Sequence, residues 1–234
     1  MSVRHQTRQA ASLDAEQVRR GPLPEVVSMA PILEGAPVAH EKTVFDGADG
    51  FFAIWACDAG VFPRVKDKRG SFMYILSGDA TIVDADGTPH ELTGDSVLVL
   101  PFGWAGTWHI RQTIRKVYLH TTPAPPLPTT VTASAFLPSD RVLADQAETV
   151  IFDGPDGRCD LRSLASGQYP WAPDQHGLFV VVLAGDGSVA GDDGTRHELA
   201  PGGVLALPSG WSGTWDIRSP VRAFCVRSTP APSA

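Results

Sequence analysis

Short runs of apolar and β-branched residues recur along the chain and predict β-strands. FMYILSG (72–78), SVLVLP (96–101) and KVYLHT (116–121) are runs of this kind, separated by glycine, proline and aspartate–glycine pairs. The stretch ATIVDADGTPHEL (80–92) predicts two strands joined by a turn at Asp86–Gly87. Strands at this spacing, with no helical pattern between them, favour a barrel or a sandwich.

The helical pattern lies near the N-terminus. SLDAEQVRR (12–20) predicts one short helix, with Ser12 as its N-cap and two arginines in its last turn. APPLPTT (124–130) predicts a stiff, proline-rich linker. Both segments lie outside the strand-rich regions.

The strand pattern occurs twice, with a shift of 107 positions. The register holds without a gap over roughly 82 residues and gives about 35 identities, which is a domain-sized period and not a solenoid repeat of ~20–50 residues. Matching segments include VFDGADG (44–50) with IFDGPDG (151–157), DGTPHEL (86–92) with DGTRHEL (193–199), and PFGWAGTW (101–108) with PSGWSGTW (208–215). The chain is therefore predicted to contain two tandem copies of one all-β domain.

Composition and charge exclude several classes of function. The chain has 234 residues, a formal net charge of -7 and 43% hydrophobic residues, so we expect binding to neither nucleic acid nor an anionic membrane. No apolar run approaches the ~20 residues of a membrane span, and the N-terminus lacks the apolar core of a secretory signal. Cys57, Cys159 and Cys225 form no CxxC pair. These features indicate a soluble, reduced, cytoplasmic protein.

Both copies resemble cupin domains. More narrowly, they are similar to the family named for the cupin domain of (S)-ureidoglycine aminohydrolase, which also includes ethanolamine-utilisation cupins. The resemblance is carried by FMYILSG, DADGTPHELTGDSVLVLPFGWAGTW and RKVYL in the first copy, and by VVVLAG, DDGTRHEL, VLALPSGWSGTW and VRAFCV in the second. It implies two tandem jelly-roll (double-stranded β-helix) barrels in one chain, paired further into a homodimer.

The resemblance and the repeat together predict the domain bounds. We expect an N-terminal arm at 1–39, an N-terminal barrel at 40–123, a linker with a connecting strand at 124–146, and a C-terminal barrel at 147–234. The arm is expected to add a strand either to a barrel or to a neighbouring subunit.

The resemblance also implies where a metal would bind. Metal-binding cupins carry two histidines and a glutamate, roughly HxHx4E, and a later histidine just after PxG. The residues at these positions are Arg64, Lys66, Ser71 and Gly106 in the first copy, and Trp171, Pro173, Leu178 and Gly213 in the second. None is a usual metal ligand, so we expect no metal and no other cofactor, and the metal-dependent aminohydrolase activity of the family is not expected to carry over.

The remaining histidines do not replace these ligands. His90 and His197 occupy matching places beside the DGT turns, which favours a structural role in the hairpin. His109, His120 and His176 have no counterpart in the other copy. We expect them to be surface or core residues.

A cluster of cations distinguishes the first copy from the second. Residues 64–69 carry four basic side chains, whereas the matching segment of the second copy has one histidine. One interpretation is a solvated loop. In the other, Arg64 and Lys66 point into the barrel together, because they alternate along a strand, and hold a carboxylate or phosphate where a metal would be. Two inward cations without an anion would repel each other and be desolvated.

The same hypothesis predicts the rest of the site. Around Arg64 and Lys66, the expected lining residues are Trp55, Ser71, Met73, Trp104 and Trp108. Trp104 and Trp108, which recur as Trp211 and Trp215 in the second copy, have an alternative interpretation as core anchors. In the second copy, Trp171 and Leu178 are expected to fill the cavity.

Three functions remain open at this point. The first is metal-independent binding of a small organic anion in the N-terminal barrel. The second is an aminohydrolase-like or other cupin enzyme acting on a small nitrogen-containing or acid metabolite. The third is a structural or interaction protein in which both barrels are filled. Barrels of this kind host many activities, so the fold does not decide among them.

Overall fold

Strands dominate the structure, which is a computed structural model describing residues 9–26, 31–121, 132–144 and 148–228. With its two short helices, the described part of the chain confirms the all-β prediction. The predicted linker at 124–130 lies outside the described residues.

The N-terminal half contains most of the elements. Their bounds are β1 Ala11–Leu13, α1 Ala15–Arg20, β2 Glu25–Val26, β3 Glu34–Gly35, β4 Ala39–Gly47, β5 Gly50–Cys57, β6 Gly60–Val65, β7 Ser71–Asp84, β8 Pro89–Thr93, β9 Val97–Leu100, β10 Ala105–Thr121, β11 Ala135–Leu137 and α2 Ser139–Leu143. The C-terminal half repeats the longer strands. Their bounds are β12 Glu148–Gly154, β13 Gly157–Leu164, β14 Gly167–Trp171, β15 Leu178–Gly191, β16 Arg196–Leu199, β17 Val204–Leu207 and β18 Gly213–Arg227.

The described strands form two antiparallel sheets with the same pairing scheme. In the N-terminal barrel, β7 pairs with β8, β9 and β10, and β10 also pairs with β5 and β6. In the C-terminal barrel, β15 pairs with β16, β17 and β18, and β18 also pairs with β13 and β14. The register repeats as well, because Met73 faces Tyr118 and Val180 faces Cys225, each 107 positions later. The sequence repeat is therefore a repeat of structure.

Each barrel gains an edge strand from a segment outside the 107-residue repeat. β1 pairs with β17, with Ala11 opposite Ala206, and β11 pairs with β9, with Ala135 opposite Val99. Position 206 corresponds to position 99 in the repeat, so the two added strands occupy equivalent places. The arm was expected to add a strand either to a barrel or to a neighbouring subunit. β1 adds its strand to a barrel of its own chain.

Histidines of the repeated HEL motif contact these added segments. His197 Nδ1 lies 2.9 Å from Ser12 Oγ, and His90 Nε2 lies 2.9 Å from Ser134 Oγ. These contacts support the structural interpretation of the two histidines.

The start of α1 differs from the prediction. Asp14 is its N-cap, accepting a hydrogen bond from Gln17 N at 2.8 Å, within a capping box that Gln17 completes. The predicted cap, Ser12, lies in β1 because that strand pairs with β17 before the helix begins. Helix α2 was not predicted, since its five residues are too few to show a helical period.

The chain divides into two compact units that do not follow the order of the sequence. One unit comprises residues 1–21, 44–52 and 146–234, and the other comprises residues 22–43 and 53–145. The barrel bounds predicted from the sequence repeat, 40–123 and 147–234, stay a prediction.

The hairpin predicted at Asp86–Gly87 is confirmed. Gly87 has a φ of +90°, which favours glycine, and Thr88 N donates to Asp86 Oδ1 at 2.9 Å. All three cysteines are free and buried. In the described part of the chain, no helix has the length and apolar character needed to span a membrane.

Val18 tests whether α1 is part of the C-terminal barrel's core. Its side chain is fully buried, so truncation to alanine leaves a cavity. We expect Val18→Ala to lower the free energy of unfolding by about 1–3 kcal/mol, measured by urea denaturation. The control is Arg20→Ala, an exposed position in the same helix. Equal, small effects of both variants would contradict the packing role of α1.

Candidate functional site

A cavity of about 270 Å³ lies within the N-terminal barrel. Its wall combines aromatic and charged side chains contributed mainly by β5, β6 and β10. The lining residues are Val26, Glu41, Trp55, Phe62, Arg64, Lys66, Ser71, Trp108, Lys116, Tyr118 and His120. The volume is close to the lower end of the ~300–1,000 Å³ range of ligand sites, which suits a small metabolite.

Strand alternation brings the charged residues together. Phe62 and Arg64 alternate along β6, and Lys66 continues the alternation just past its end. Lys66 is fixed there through its backbone, because its N–H donates to Trp104 O at 2.8 Å and its C=O accepts from Gly103 N at 2.7 Å. Lys116, Tyr118 and His120 alternate in the same way along β10. Alternate residues share one face of a strand, and both sets face the cavity.

Lys116 is surrounded by aromatic rings. Its side chain is only 8% exposed, and Nζ lies 4.4 Å from the ring centre of Trp55, 4.2 Å from that of Trp108 and 5.7 Å from that of Tyr118. Nζ also lies 3.2 Å from the sulfur of Met73. Among the described residues, no carboxylate is within ion-pair distance of it.

Burial and mutual repulsion weaken proton binding by the two lysines. Burial is the main cause that holds the pKa of Lys116 well below its usual range, and the charges of Lys66 and Arg64 add to it. For Lys66, burial followed by the charges of Arg64 and Arg69 lowers the pKa to about 7. Burial also lowers the pKa of Arg64, although a guanidinium stays charged at neutral pH.

The opposite charge in the cavity is already engaged. Glu41 accepts a hydrogen bond from the Tyr118 hydroxyl, and burial together with this bond raises the pKa of Tyr118. The ring of His120 packs edge-on against Tyr118, with 4.7 Å between ring centres, and its Nδ1 lies 3.2 Å from Gly70 O. Burial, reinforced by the charge of Lys66, lowers the pKa of His120 well below its usual range.

The structure brings together five of the seven residues that the sequence singled out. Arg64, Lys66, Ser71, Trp55 and Trp108 line the one cavity. The other two occupy the barrel core.

Met73 and Trp104 are buried beside the predicted site without lining it. Met73 contacts Lys116 through its sulfur. Trp104 is fully buried and donates its indole N–H to Asp84 Oδ1 at 2.8 Å. The core interpretation therefore describes Trp104, and the pocket interpretation describes Trp55 and Trp108.

Sequence reasoning missed Lys116, Tyr118, Glu41 and His120. The signal for the first two was present, because lysine and tyrosine alternate with apolar residues in RKVYLHT, whereas the second copy has Ala223 and Cys225 at the matching places. His120 was expected to be an isolated surface or core residue, and it lines the cavity because it continues this alternation. Glu41 carried no comparable signal.

Several of the matching positions in the C-terminal barrel are apolar, although arginines stand at the positions of Trp55 and His120, as Arg162 and Arg227. Leu178, Ala223 and Cys225 replace Ser71, Lys116 and Tyr118, and all three belong to one buried hydrophobic cluster. Trp171, at the position of Arg64, packs against that cluster, with 5.9 Å between its ring centre and that of Trp215. These contacts are the ones that a filled barrel requires.

Metal-binding cupins carry their late histidine at a position that has no room for a side chain in either barrel of this chain. A Cβ on Gly106 would lie 2.4 Å from both Val83 O and the indole of Trp104, and a Cβ on Gly213 would lie 2.2 Å from Ala190 O. Within the described residues, no group of three or more histidine, cysteine, aspartate or glutamate side chains is placed to hold a metal ion.

Two antiparallel barrels with this shared topology, one of them enclosing a cavity, define a two-domain cupin. The family model described as the EutQ-like cupin domain matches residues 48–118 and 161–224, so both copies are covered. The chain belongs to the EutQ-like cupin domain family. A comparison with curated proteins found no match.

Solved structures share the fold over three quarters of the chain or more. A protein described as glyoxylate-induced from Pseudomonas aeruginosa has a TM-score of 0.68 at 11% identity, covering 98% of this chain and 92% of its own. Protein Ylba from E. coli has a TM-score of 0.65 at 13% identity, with coverages of 94% and 91%. A salicylate 1,2-dioxygenase from Pseudaminobacter salicylatoxidans has a TM-score of 0.58 at 13% identity, with coverages of 77% and 71%. At these identities the likeness shows the fold alone.

Asp84 is expected to be a structural partner of Trp104. Its two oxygens accept from the Trp104 indole and, at 2.9 Å, from Ser134 Oγ. We expect Asp84→Ala to lower the free energy of unfolding by about 2–3 kcal/mol, because it leaves a buried indole N–H without an acceptor. Asp84→Asn keeps an acceptor oxygen, so it should lower the free energy of unfolding by less than half as much. Urea denaturation measures both losses. Equal losses for the two variants would show that the negative charge, and not the acceptor, matters.

Lys66 gives the protein a pH-dependent stability. The unfolded chain keeps Lys66 protonated up to its ordinary pKa of ~10.4, whereas the folded protein releases this proton near pH 7. Between these values the unfolded state binds more protons, so the contribution of Lys66 to stability rises with pH. The groups that act on it are Arg64, Arg69, Lys116, His120 and Asp67.

Removing this charge should therefore stabilise the ligand-free protein. We expect Lys66→Met to raise the free energy of unfolding by about 1–2 kcal/mol at pH 6 and by less at pH 9, measured by urea denaturation at both values. The exposed neighbour Lys68 supplies the control Lys68→Met, which should change stability by no more than about 0.5 kcal/mol at either pH. A stabilisation by Lys66→Met that grows with pH would contradict the assigned pKa direction.

Proposed function

We propose that the N-terminal barrel binds a small organic anion, a carboxylate or a phosphate, without a metal ion. The observation that supports this function is the presence of Arg64, Lys66 and Lys116 in one cavity whose lining contains a single carboxylate among the described residues, Glu41. Since Glu41 already accepts the Tyr118 hydroxyl, an entering anion is the partner that remains for the charge of Arg64 and of protonated Lys66.

Electrostatics makes an anion the favoured occupant. Burial is the main cause of the lowered pKa values of both lysines, and the charges of the neighbouring basic groups lower them further. An anion between them would offset this repulsion in a partly desolvated site, where charge-assisted hydrogen bonds are strong. The guanidinium of Arg64 is suited to a carboxylate or phosphate because it offers paired donors in a fixed plane.

The shape of the cavity limits the size of the anion. A volume of about 270 Å³ admits a compact metabolite, and the faces of Trp55 and Trp108 offer apolar contact to its carbon atoms. The open volume also favours binding over the scaffold alternative, which requires both barrels to be filled.

The aminohydrolase-like alternative rests on the motif resemblance alone. Its metal positions hold cations and a glycine in this barrel, so no observation in the described residues favours it. From the same resemblance we propose a homodimer, which sedimentation of the purified protein would test, and from the composition and cysteine content we propose a cytoplasmic location.

Ligand-induced stabilisation tests the anion site. We expect small carboxylates or phosphates to raise the melting temperature in a thermal-shift screen, since a ligand that binds only the folded state stabilises it. Arg64→Ala should weaken the affinity of the best anion at least about tenfold. Lys68→Ala serves as the control, because it removes a positive charge from an exposed position outside the cavity lining. This variant should leave the affinity unchanged. Binding that is unaffected by Arg64→Ala would place the anion elsewhere.

A further inference from the structure

Lys116 has the properties of a nucleophile that anion binding alone does not require. A residue that serves only as a cation is best placed at the ligand's charge and paired or hydrated when empty. Lys116 instead lines the cavity with its Nζ packed against three rings and a thioether. An amine in such surroundings is held in its neutral, reactive form.

The neighbouring cations divide the work of the site. Arg64 keeps its charge and can hold a carboxylate. Its charge and that of Lys66 disfavour protonation of Lys116. The cavity therefore combines a fixed anion-binding group with an uncharged primary amine.

We propose that Lys116 condenses reversibly with the carbonyl group of a small 2-oxo acid bound in this cavity. The neutral Nζ adds to the carbonyl carbon, forming a C–N bond as the C=O π bond breaks, and one amine proton moves to the oxygen to give a carbinolamine. The hydroxyl group then leaves with the one remaining N–H proton as water, and a C=N bond forms. The overall change is amine plus carbonyl to imine plus water, so no oxidant or reductant is needed.

The ligand class follows from what the cavity contains. A 2-oxo acid carries its carboxylate on the atom next to its reactive carbonyl, so Arg64 and Lys116 can act on adjacent atoms of one short molecule. The imine is cationic when protonated, and the faces of Trp55 and Trp108 that now surround Nζ stabilise a cation. This inference rests on the proposed function, because the acid must enter the same cavity.

Reductive trapping tests the proposal on the unaltered protein. Incubation with pyruvate and cyanoborohydride converts an imine into a stable secondary amine, and peptide mass spectrometry locates it. The chain has four lysines, Lys42, Lys66, Lys68 and Lys116, so the map is simple. At neutral pH and low pyruvate we expect labelling of Lys116 to exceed that of exposed Lys68 at least about tenfold, because an ordinary lysine is almost wholly protonated there.

Two control ligands and one variant separate this proposal from the anion site itself. Lactate, which has the carboxylate but no carbonyl, should raise the melting temperature and slow the labelling of Lys116. Propionaldehyde, which has the carbonyl but no carboxylate, should label Lys116 far less efficiently than pyruvate. Lys116→Met, which keeps the length of an apolar side chain, should abolish the adduct.

The outcomes distinguish the two proposals. Stabilisation by lactate and pyruvate with no adduct on Lys116 would overturn the imine and leave the anion site standing. If neither acid stabilises the protein, and labelling follows exposure across Lys68 and the N-terminal amine, both proposals fail. An adduct found mainly on Lys66 would also overturn the assignment to Lys116.

Discussion

The amine of Lys116 lies 4.2 Å and 4.4 Å from the ring centres of Trp108 and Trp55, inside a barrel where Arg64 and Lys66 line the same cavity. Contact with the rings offsets part of the cost of burying a charge, because an aromatic face attracts a cation by ~0.5–2 kcal/mol. Desolvation of an unpaired ammonium costs several kcal/mol. Desolvation therefore dominates, and the local electrostatics of the cavity follows from this imbalance.

The two copies show how one fold holds either a charged cavity or an apolar core. Strand pairing and register are the same in both barrels, so each position of one has a defined counterpart. Replacing Lys116 and Ser71 by alanine and leucine turns a wall of the cavity into part of a hydrophobic cluster. A similar replacement changes the partner of a buried tryptophan. In the N-terminal barrel the indole N–H of Trp104 donates a hydrogen bond to Asp84. In the C-terminal barrel glycine stands at the aspartate's place, and the indole N–H of Trp211 is buried without a partner among the described residues.

The sequence was sufficient for most of the fold because its signals are local or repeated. Alternating apolar runs predicted the strands, and the 107-residue repeat predicted two equivalent sheets. An added strand from the arm and a connecting strand were expected, but their partner strands were not predictable, since β1 and β11 lie outside the repeat and the three residues of each pair over long distances. The helix cap was misassigned for the same reason, because pairing of β1 with β17 decides that Ser12 is in a strand.

The site was only partly predictable, and the reason is topological. Arg64 and Lys66 were found because the motif resemblance fixed their positions on one strand. Lys116 comes from β10, which pairs with β6 over residues 105–110 and reaches Lys116 only after a series of register shifts against β7 between Ile110 and Lys116. Alternation counted from Trp108 along β10 ignores these bulges, so the sequence alone does not establish which face of the strand Lys116 occupies. The signal available in the sequence was a lysine within an apolar strand pattern, at a position where the second copy has alanine.

A cation-lined cavity imposes different requirements on pH than a metal site does. Binding an anion favours protonated lysines, whereas reaction of Lys116 with a carbonyl needs the neutral amine. The two requirements conflict if one group must meet both. Arg64 removes the conflict, because its guanidinium remains charged over the whole physiological range and holds the anion while Lys116 stays neutral. Lys66, with a pKa of about 7, then adjusts the charge of the cavity between these two fixed roles.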